Sequence, residues 1–285
     1  MTIPDSPLPI PGLRIHHLNC GSMCPHGRRL MQGEGGWLEP ARVVCHVWLI
    51  EGRDGLTLVD TGLGTAQVDG MVHGHLKALM RPKLDRAETA LAQVQARGFR
   101  ASDVRDIVVT HLDFDHAGAL ADFPEARVHV HAPELAAAEA PATLIEKQRY
   151  ESRLWSHGPR WQRHAFQGER WNGFEAVRAL GGDGSPDEIL LAPLAGHTRG
   201  HTGVAVRDGD HWRLHCGDAY FFHTEVGAQP HCPPGLNLFQ TVLAVDNDAR
   251  KRNQARLAAL NAAGGVILNS AHCPHELARD AGPVH

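Results

Sequence analysis

Short apolar runs, separated by turns rich in Gly, Asp and Pro, dominate the hydrophobic pattern of the chain. They predict strands at 13–18, 43–50, 56–59, 107–109, 127–131, 188–192, 202–206, 212–215 and 266–268. Helical spacing of Ala, Leu and Val predicts helices at 87–98, 133–140 and 248–263, the first ended by Gly98 and the second opened by Pro133. The order of strands followed by a helix occurs twice, without an exact sequence repeat.

Two segments interrupt this pattern, a Gly-rich loop at 21–36 and a longer stretch at 141–174. The second carries four large aromatic side chains among charges, at Tyr150, Trp155, Trp161 and Trp171. It predicts a helical or looped excursion over the core. The aromatic residues of this stretch, with Met23 and Trp37, would line an apolar substrate pocket, although packing in the core or on the surface explains each of them equally well.

The composition indicates a protein that can build one large core. Of 285 residues, 42% are apolar and 21% charged, as in soluble globular proteins, and we expect a single domain over 1–285. The formal net charge is −4 and no basic run is present, so we expect no nucleic-acid partner. The unusual number is 21 histidines, several of them close to Asp or to another His. That number directs attention to metal ligands.

The location of the protein is predicted from its start and its cysteines. Residues 1–7 have neither a charged start nor an apolar stretch long enough for an export signal, and no segment approaches a membrane span. The six cysteines, at 20, 24, 45, 216, 232 and 273, form no CxxC pair. Reduced thiols in a cytoplasmic protein without a membrane partner are the simplest interpretation. Pairing or metal binding by Cys20 and Cys24 is the weaker alternative.

Four potential metal ligands follow the predicted strand at 107–109 within six residues: His111, Asp113, Asp115 and His116. A metal site needs several deprotonatable donors brought together at small entropic cost, which a tight turn at a strand end provides. The alternative is a helix start in which one acid caps the helix that begins near Ala117. A cap needs only one acid, so two acids flanked by two histidines favour a metal site.

Three later side chains have the same context, because each follows an apolar run closely. They are His197, Asp218 and His272. Singly each is a weak signal, since an Asp after Gly is usually a turn residue and a lone His is usually a satisfied polar group. Together with the turn at 111–116, they predict one metal centre.

These elements resemble the metallo-β-lactamase superfamily from about 13 to 276, and most of all its lactonase-like and glyoxalase II-like hydrolases. The family pattern His-x-His-x-Asp-His, Gly-His-Thr-x-Gly-His, Gly-Asp and a late His corresponds to 111–116, 196–201, Asp218 and His272. The resemblance implies an α/β fold, a four-layer αββα sandwich of two mixed β-sheets flanked by helices. It implies a single domain with a substrate-capping excursion at 141–174, and it makes Asp60 a support of the metal loop.

The same resemblance implies two divalent metal ions, with zinc as the expected metal. Metal one would take His111 and His197, and metal two would take Asp115, His116 and His272. Asp218 would bridge the two ions. His201 would be a turn residue or a support of the ligands.

Asp113 departs from the family pattern, which has histidine at this position. A hard carboxylate in place of an imidazole favours iron or manganese over zinc and makes the cluster less positive. The shorter Asp side chain also leaves open a weak or empty first site. If Asp113 binds, seven residues hold metal: His111, Asp113, Asp115, His116, His197, Asp218 and His272.

The activity that the resemblance implies is hydrolysis of an ester-type bond, in a lactone or another carboxylic ester, by a hydroxide held between the metals. Asp115 would pass a proton to the leaving group. Tyr220 would assist at the carbonyl, although relatives carry their tyrosine one residue later, where Phe221 stands, and core packing is the alternative for Tyr220.

Other functions and partners stay open at this point. Thioester hydrolysis of the glyoxalase II type, iron-dependent redox chemistry and a metal-binding regulatory role are the alternatives. The expected partner is a small-molecule ester or lactone. A homodimer is left open.

Overall fold

The computed structural model describes residues 13–72, 74–181, 188–209 and 211–281. The start of the chain, on which the expectation about an export signal rests, lies outside these residues. The six cysteines are free thiols, so Cys20 and Cys24 form no disulfide. In the part of the chain that the structure describes, no helix has both the length and the apolar character needed to cross a membrane.

The first sheet has six strands in chain order: β1 (Arg14–Met23), β2 (Val43–Gly52), β3 (Gly55–Val59), β4 (Val104–Val108), β5 (Arg127–His131) and β6 (Arg160–His164). Strands β1, β2 and β3 pair antiparallel, whereas β3, β4, β5 and β6 pair parallel. A short antiparallel ribbon follows, formed by β7 (Arg170–Trp171) and β8 (Phe174–Glu175).

The second sheet has five strands: β9 (Val177–Leu180), β10 (Ile189–Pro193), β11 (Thr202–Asp208), β12 (His211–His215) and β13 (Val266–Asn269). Their order is β13-β12-β11-β10-β9. Neighbours are antiparallel except β12 and β13, which are parallel. Both sheets are therefore mixed, as the resemblance implied.

The α-helices of the described residues are α1 (Arg28–Gln32), α2 (Thr65–Val68), α3 (Gly74–Met80), α4 (Ala90–Ala96), α5 (Ala132–Glu139), α6 (Leu144–Arg149), α7 (Pro234–Leu243), α8 (Asn247–Ala263) and α9 (Pro274–Ala281). Helix α4 begins after Thr89, whose hydroxyl accepts the backbone N–H of Ala92, and α8 begins after Asp246, whose carboxylate accepts that of Ala249. The chain turns at Gly98 after α4, with a positive φ of 85°.

Three apolar clusters hold the sheets and helices in four layers. Between the sheets, Trp48 of the first packs with Leu191 and Val204 of the second. On the outer face of the first sheet, Leu58 shares a cluster with residues of α4 and α5, and on the outer face of the second, Leu190 shares one with residues of α8. The order helix, sheet, sheet, helix confirms the predicted αββα sandwich.

The layering explains why the strands appear in the sequence as continuous apolar runs. Consecutive residues point to opposite faces of a strand. Leu190 therefore enters the core below α8 while Leu191 enters the core between the sheets. Because both faces are buried, the alternation of polar and apolar residues is lost.

The predicted strands and helices are all observed near their expected positions, but the pattern missed others. Helices α7 and α9 were not predicted. The stretch at 141–174 contains α6, β6 and the β7–β8 ribbon, and β6 extends the first sheet at its edge. Strand β1 runs on to Met23, so the loop expected at 21–36 begins later.

The fold places the polar turns at one edge of the sandwich. Asp60 follows β3 and His111 follows β4, and these two strands are parallel. Asp218 and His272 follow β12 and β13, which are also parallel. The carboxyl ends of parallel strands lie at the same edge of a sheet, so the turns of each sheet are brought close together.

Trp155 has a structural role in this arrangement. It ends a short 3₁₀ turn after α6 and packs, partly buried, against the core cluster of the first sheet. We expect Trp155→Ala to lower the free energy of unfolding by about 2 kcal/mol, because a large apolar contact is lost. Urea denaturation measures this change.

Trp37 provides the matched control for that substitution. It is 63% exposed, so Trp37→Ala should change stability by less than about 0.5 kcal/mol. An equal effect of the two substitutions would contradict the packing role of Trp155.

Candidate metal centre

The structure brings all seven predicted ligand side chains into one cluster. Their donor atoms form two groups, His111, Asp113, His197 and Asp218 in the first and Asp115, His116 and His272 in the second. Within each group the donor atoms lie within 4.8 Å of one another. Six of the seven residues are buried, and Asp113 is partly exposed.

Asp218 lies between the two groups. Its Oδ1 is 3.1 Å from the Nε2 atoms of His116 and of His272. Its Oδ2 is 3.3 Å from Nε2 of His197 and 3.8 Å from Nε2 of His111. One carboxylate therefore faces four imidazoles drawn from both groups, as expected of the residue that the resemblance made the bridge.

Unpaired buried atoms show that these residues fit metal ions. Five buried atoms of the seven residues find no hydrogen-bond partner among the described residues: His111 Nε2, Asp113 Oδ1, His116 Nε2, His197 Nδ1 and Asp218 Oδ1. Buried polar atoms are normally paired. Ligands at about 2.0–2.1 Å from a tetrahedral zinc ion lie about 3.3 Å from one another. The distances of 3.1 and 3.3 Å around Asp218 agree with that spacing.

Asp60 orients His116. Its Oδ2 accepts a hydrogen bond from His116 Nδ1 at 2.8 Å, which leaves Nε2 directed at the cluster. The same carboxylate accepts the backbone N–H and the hydroxyl of Thr110, at 2.7 and 2.8 Å. Asp60 itself has a φ of 57°, a left-handed conformation that costs free energy for a residue other than glycine. Its support of the metal loop is the role that the resemblance implied.

Backbone groups orient two further ligands. His272 Nδ1 donates to the carbonyl of Val44 at 2.8 Å, so its Nε2 faces Asp218. The backbone N–H of Asp218 donates to His201 Nε2 at 2.9 Å, and His201 Nδ1 donates to Leu194 O. His201 therefore supports the bridging residue. Gly217, which precedes Asp218, has a φ of 50°, and a Cβ at this position would lie 2.6 Å from His201 Nε2. No residue other than glycine therefore fits at position 217.

Glu134 holds two ligand loops together, a role that the sequence analysis missed. Its carboxylate, fully buried on α5, accepts hydrogen bonds from Leu112 N, Thr198 Oγ1 and Gly200 N at 2.7–3.0 Å. It also accepts the hydroxyl of Tyr150. The first of these partners lies in the loop of His111 and the next two lie in the loop of His197. An acid near the start of an Ala-rich helical segment was a weak signal, since the same segment carries a second acid, Glu139.

Arg149 is the second residue that the sequence analysis missed. It ends α6, in the stretch at 141–174, and only 5% of its side chain is exposed. Its Nη1 donates to Asp113 Oδ2 and to His197 Nε2, both at 2.8 Å, and Nη2 donates to Leu243 O. The guanidinium of Arg149 is therefore in direct contact with the first group of donor atoms.

The charges in the cluster shift the pKa values of its members. Burial alone would raise the pKa of Asp113, but Arg149 and His111 hold it well below its ordinary value. Burial lowers the pKa of His197 to about 4, and the charge of Arg149 adds to that effect. In the second group, burial raises the pKa of Asp115, whereas the pKa of His116 is raised by three carboxylates against its burial.

Tyr220 is buried in the core of the second sheet instead of facing the cluster. Its hydroxyl donates to the carboxylate of Glu276 at 2.9 Å. A hydroxyl held in this way is not available to a substrate carbonyl. The ring of the next residue, Phe221, faces the ligands instead, with its centroid 4.5 Å from that of His272 and 6.1 Å from that of His197.

Apolar side chains form a wall beside the cluster. Phe114, between two ligands in sequence, and Phe239 of α7 pack partly buried against Met23. Phe239 also contacts Phe221, with ring centroids 6.0 Å apart. We call these four residues the apolar wall. Trp37, also expected to line a pocket, is exposed and lies under the guanidinium of Arg29.

We expect Glu134→Gln to weaken metal binding, although Glu134 contacts no donor atom of the cluster. The amide keeps the shape but offers an N–H₂ group where donors already point, so the loops of His111 and His197 lose a shared acceptor. Metal affinity should fall about tenfold, as it does when groups that orient ligands are removed. Competition with a chromogenic chelator measures this. Glu139→Gln, an exposed site on the same helix, is the control, and equal affinities would contradict the role of Glu134.

Comparisons with known sequences relate the chain to metal-dependent hydrolases. The chain matches the family model of the metallo-beta-lactamase superfamily over residues 40–240. A probable metallo-hydrolase of Mycobacterium tuberculosis is 39% identical over 275 residues, which cover 95% of this chain and 84% of the relative. The N-acyl homoserine lactonase AttM of Rhizobium johnstonii is 30% identical over 200 residues, which cover 68% of this chain and 71% of the relative.

Solved structures agree with the fold. A B. thuringiensis AiiA mutant with N-decanoyl-L-homoserine bound at the active site aligns with a TM-score of 0.70 and 16% identity, over 94% of this chain and 96% of that one. AidC, a dizinc quorum-quenching lactonase, aligns with a TM-score of 0.63 and 15% identity, over 94% and 90% of the two chains. The matching family model, the relatives and the common fold lead to one conclusion: the chain belongs to the metallo-β-lactamase superfamily and is a metal-dependent hydrolase.

Proposed function

We propose that this hydrolase cleaves a carboxylic ester bond, with a lactone as the leading substrate class. The observation that carries the proposal is the pair of donor groups joined by Asp218, with unpaired donor atoms directed into the space between them. Relatives named as N-acyl homoserine lactonases support the choice of a lactone. Divalent ions held by the two groups would activate a water molecule and polarise the substrate carbonyl.

Of the three residues in the second group, Asp115 is the one suited to transfer a proton. Asp60 fixes the ring of His116 and the carbonyl of Val44 fixes that of His272, so neither imidazole is free to move as a base. Asp115 makes no such fixing contact among the described residues, and burial raises its pKa. We therefore assign to Asp115 the transfer of a proton to the departing oxygen.

The apolar wall indicates the rest of the substrate. Phe114 and Phe239 are only partly buried beside the ligands, so they present apolar surface to a molecule bound there. Burial of such surface favours a substrate with an apolar portion, such as an acyl chain. Phe221 stands where relatives carry a tyrosine, so an apolar ring edge and not a hydroxyl lies at the ligands. Polarisation of the substrate carbonyl therefore depends on the cluster and on Arg149.

A panel of substrates tests this proposal. Homoserine lactones with short and long acyl chains, aryl esters and acyl thioesters are offered to the metal-loaded protein. We expect turnover of lactones or esters that is lost on chelation and restored by zinc, manganese or iron. Phe239→Ala should lower kcat/KM several-fold more for long acyl chains than for short ones.

The control for chain length is Leu238→Ala, next to Phe239 on α7 but 64% exposed, which should leave the preference unchanged. Turnover of thioesters alone would favour the glyoxalase II-like alternative. Absence of turnover on the whole panel would favour a metal-binding regulatory protein.

We further propose that the centre takes two ions of unequal affinity. In the second group the basic side chains are the imidazoles of His116 and His272. In the first group, by contrast, Arg149 already neutralises Asp113 and donates to the Nε2 of His197. An ion entering the first group must displace these hydrogen bonds and lie close to a guanidinium. The second group should therefore fill first.

Arg149→Met tests this order. Loss of the guanidinium frees Asp113 and His197, so the second equivalent of metal should bind at least about tenfold more tightly, a change of ~1.4 kcal/mol. Metal titration followed by elemental analysis measures affinity and stoichiometry without reference to activity. Arg163→Met, at an exposed site that pairs with Glu139, should bind both equivalents as the unmodified protein does.

Two results would contradict the proposal that Arg149 competes with a metal ion for the ligands of the first group. One is an unchanged affinity for the second equivalent in Arg149→Met, checked with Arg149→Lys if the first variant does not fold. The other is an unchanged affinity in Asp113→Asn, which would show that Asp113 is not a ligand.

A further inference from the structure

A third group of donor atoms lies outside the metal centre. It consists of His223 in the loop after β12, Cys273 immediately before α9, and His275 in the first turn of α9. The donor atoms of the three lie within 4.8 Å of one another. Cys273 is fully buried, His223 is partly buried and His275 is exposed.

This group is separate from the centre because consecutive residues point to opposite sides. In the loop after β12, the ring of Phe221 contacts His272, whereas the ring of Phe222 contacts His223 and His275 with centroids 4.5 and 5.5 Å apart. In the loop before α9, His272 faces Asp218 while Cys273 faces His223. The same two loops therefore carry ligands of the centre on one side and this group on the other.

The distances in the group agree with tetrahedral coordination. Zinc binds sulfur at about 2.3 Å and imidazole nitrogen at about 2.0–2.1 Å, which places sulfur and nitrogen about 3.6 Å apart at the tetrahedral angle. Sγ of Cys273 lies 3.5 Å from Nδ1 of His223. The rings of His223 and His275 lie with centroids 4.6 Å apart and tilted by 44°, so their edges converge without stacking face to face.

A backbone contact and an open approach suit metal binding by Cys273, although burial raises the pKa of its thiol. The backbone N–H of His223 donates to Sγ of Cys273 at 3.4 Å, which disperses negative charge on sulfur. His275 borders an open cavity of about 310 Å³, so water can reach a fourth coordination position. The charged side chains that act electrostatically on the donors are Glu276 and Arg279 of α9, and Arg28, Glu34 and Arg42 line the cavity that His275 borders.

We propose that His223, Cys273 and His275 form a separate zinc site, with water as the fourth ligand. One thiolate and two imidazoles are the donors that zinc prefers over magnesium, calcium or manganese. The bound ion links the loop that follows Asp218 to the loop that carries His272. It therefore fixes the spacing of two ligands of the centre without touching a substrate.

Cobalt(II) provides a test that does not depend on the activity of the protein. A thiolate bound to cobalt gives an intense charge-transfer band in the near ultraviolet, and no cysteine is among the seven residues assigned to the centre. Cobalt-loaded protein should show this band. His275→Ala and Cys273→Ser should each lose the band and bind one equivalent fewer of zinc, with a melting temperature lower by a few degrees.

Cys45→Ser is the matched control. Cys45 is a buried cysteine that packs in the same apolar cluster as Met23 and Phe114, beside the centre, and burial raises the pKa of its thiol, with Asp115 and Asp218 adding to the effect. It is therefore the alternative source of such a band. We expect Cys45→Ser to keep the band and the zinc stoichiometry. Absence of the band from the unmodified protein, its loss in Cys45→Ser, or its persistence in His275→Ala together with full zinc stoichiometry would overturn the proposal. Each of these outcomes is read from an absorption band or from zinc stoichiometry and not from ester turnover, so the two proposals can fail separately.

Discussion

The interaction between the buried carboxylate of Asp218 and the imidazoles around it is the constraint on which the rest of the site depends. A carboxylate removed from water is costly unless positive charge or hydrogen-bond donors face it. Burial would raise the pKa of Asp218, yet His272, His116 and His197 hold it well below its ordinary value. The loops that carry these imidazoles must therefore meet at one point, and divalent ions held by the two donor groups would supply further positive charge beside Asp218.

Buried acids outside the cluster hold those loops in place. Glu134 joins the loop of His111 to that of His197, and Glu276 accepts both the backbone N–H of Ser270 and the hydroxyl of Tyr220. Glu225 accepts the backbone N–H groups of Phe221 and Phe222 after Asp218. A loop that leaves a strand end has unpaired N–H groups, and a carboxylate satisfies several of them at once. Positional precision at the centre thus comes from groups that never touch a metal.

Asp113 and Arg149 form a hydrogen-bonded pair at the position where the chain departs from the family pattern. The acid was expected to favour hard metals or to weaken the first site, and the structure supplies a physical reason for the second effect. Arg149 reaches Asp113 from α6, so the carboxylate is already neutralised before any ion binds. A guanidinium beside a carbonyl substrate is also a hydrogen-bond donor for a developing negative charge. The chain therefore places a fixed cation beside the acid at position 113, where the family pattern has a histidine.

The sequence by itself determined the elements whose signals are local. Strands buried on both faces produce continuous apolar runs, and four potential ligands within the six residues from His111 to His116 mark a turn at a strand end. The repeated context of His197, Asp218 and His272 was enough to predict their convergence, because parallel strands end at the same edge. The direction of Asp60 toward the metal loop followed from the family pattern.

Only the tertiary structure decided the rest, because it depends on contacts between residues far apart in the chain. Glu134 and Arg149 lie in helical segments whose sequence shows nothing of the loops that they reach, and the short helices α7 and α9 gain their stability mainly from packing. Tyr220 and Phe221 are neighbours in sequence, yet one points into the core and the other toward the ligands, a difference set by the turn after β12. Local pattern fixes which residues form an element, whereas the direction of each side chain is fixed by the layers that pack around it.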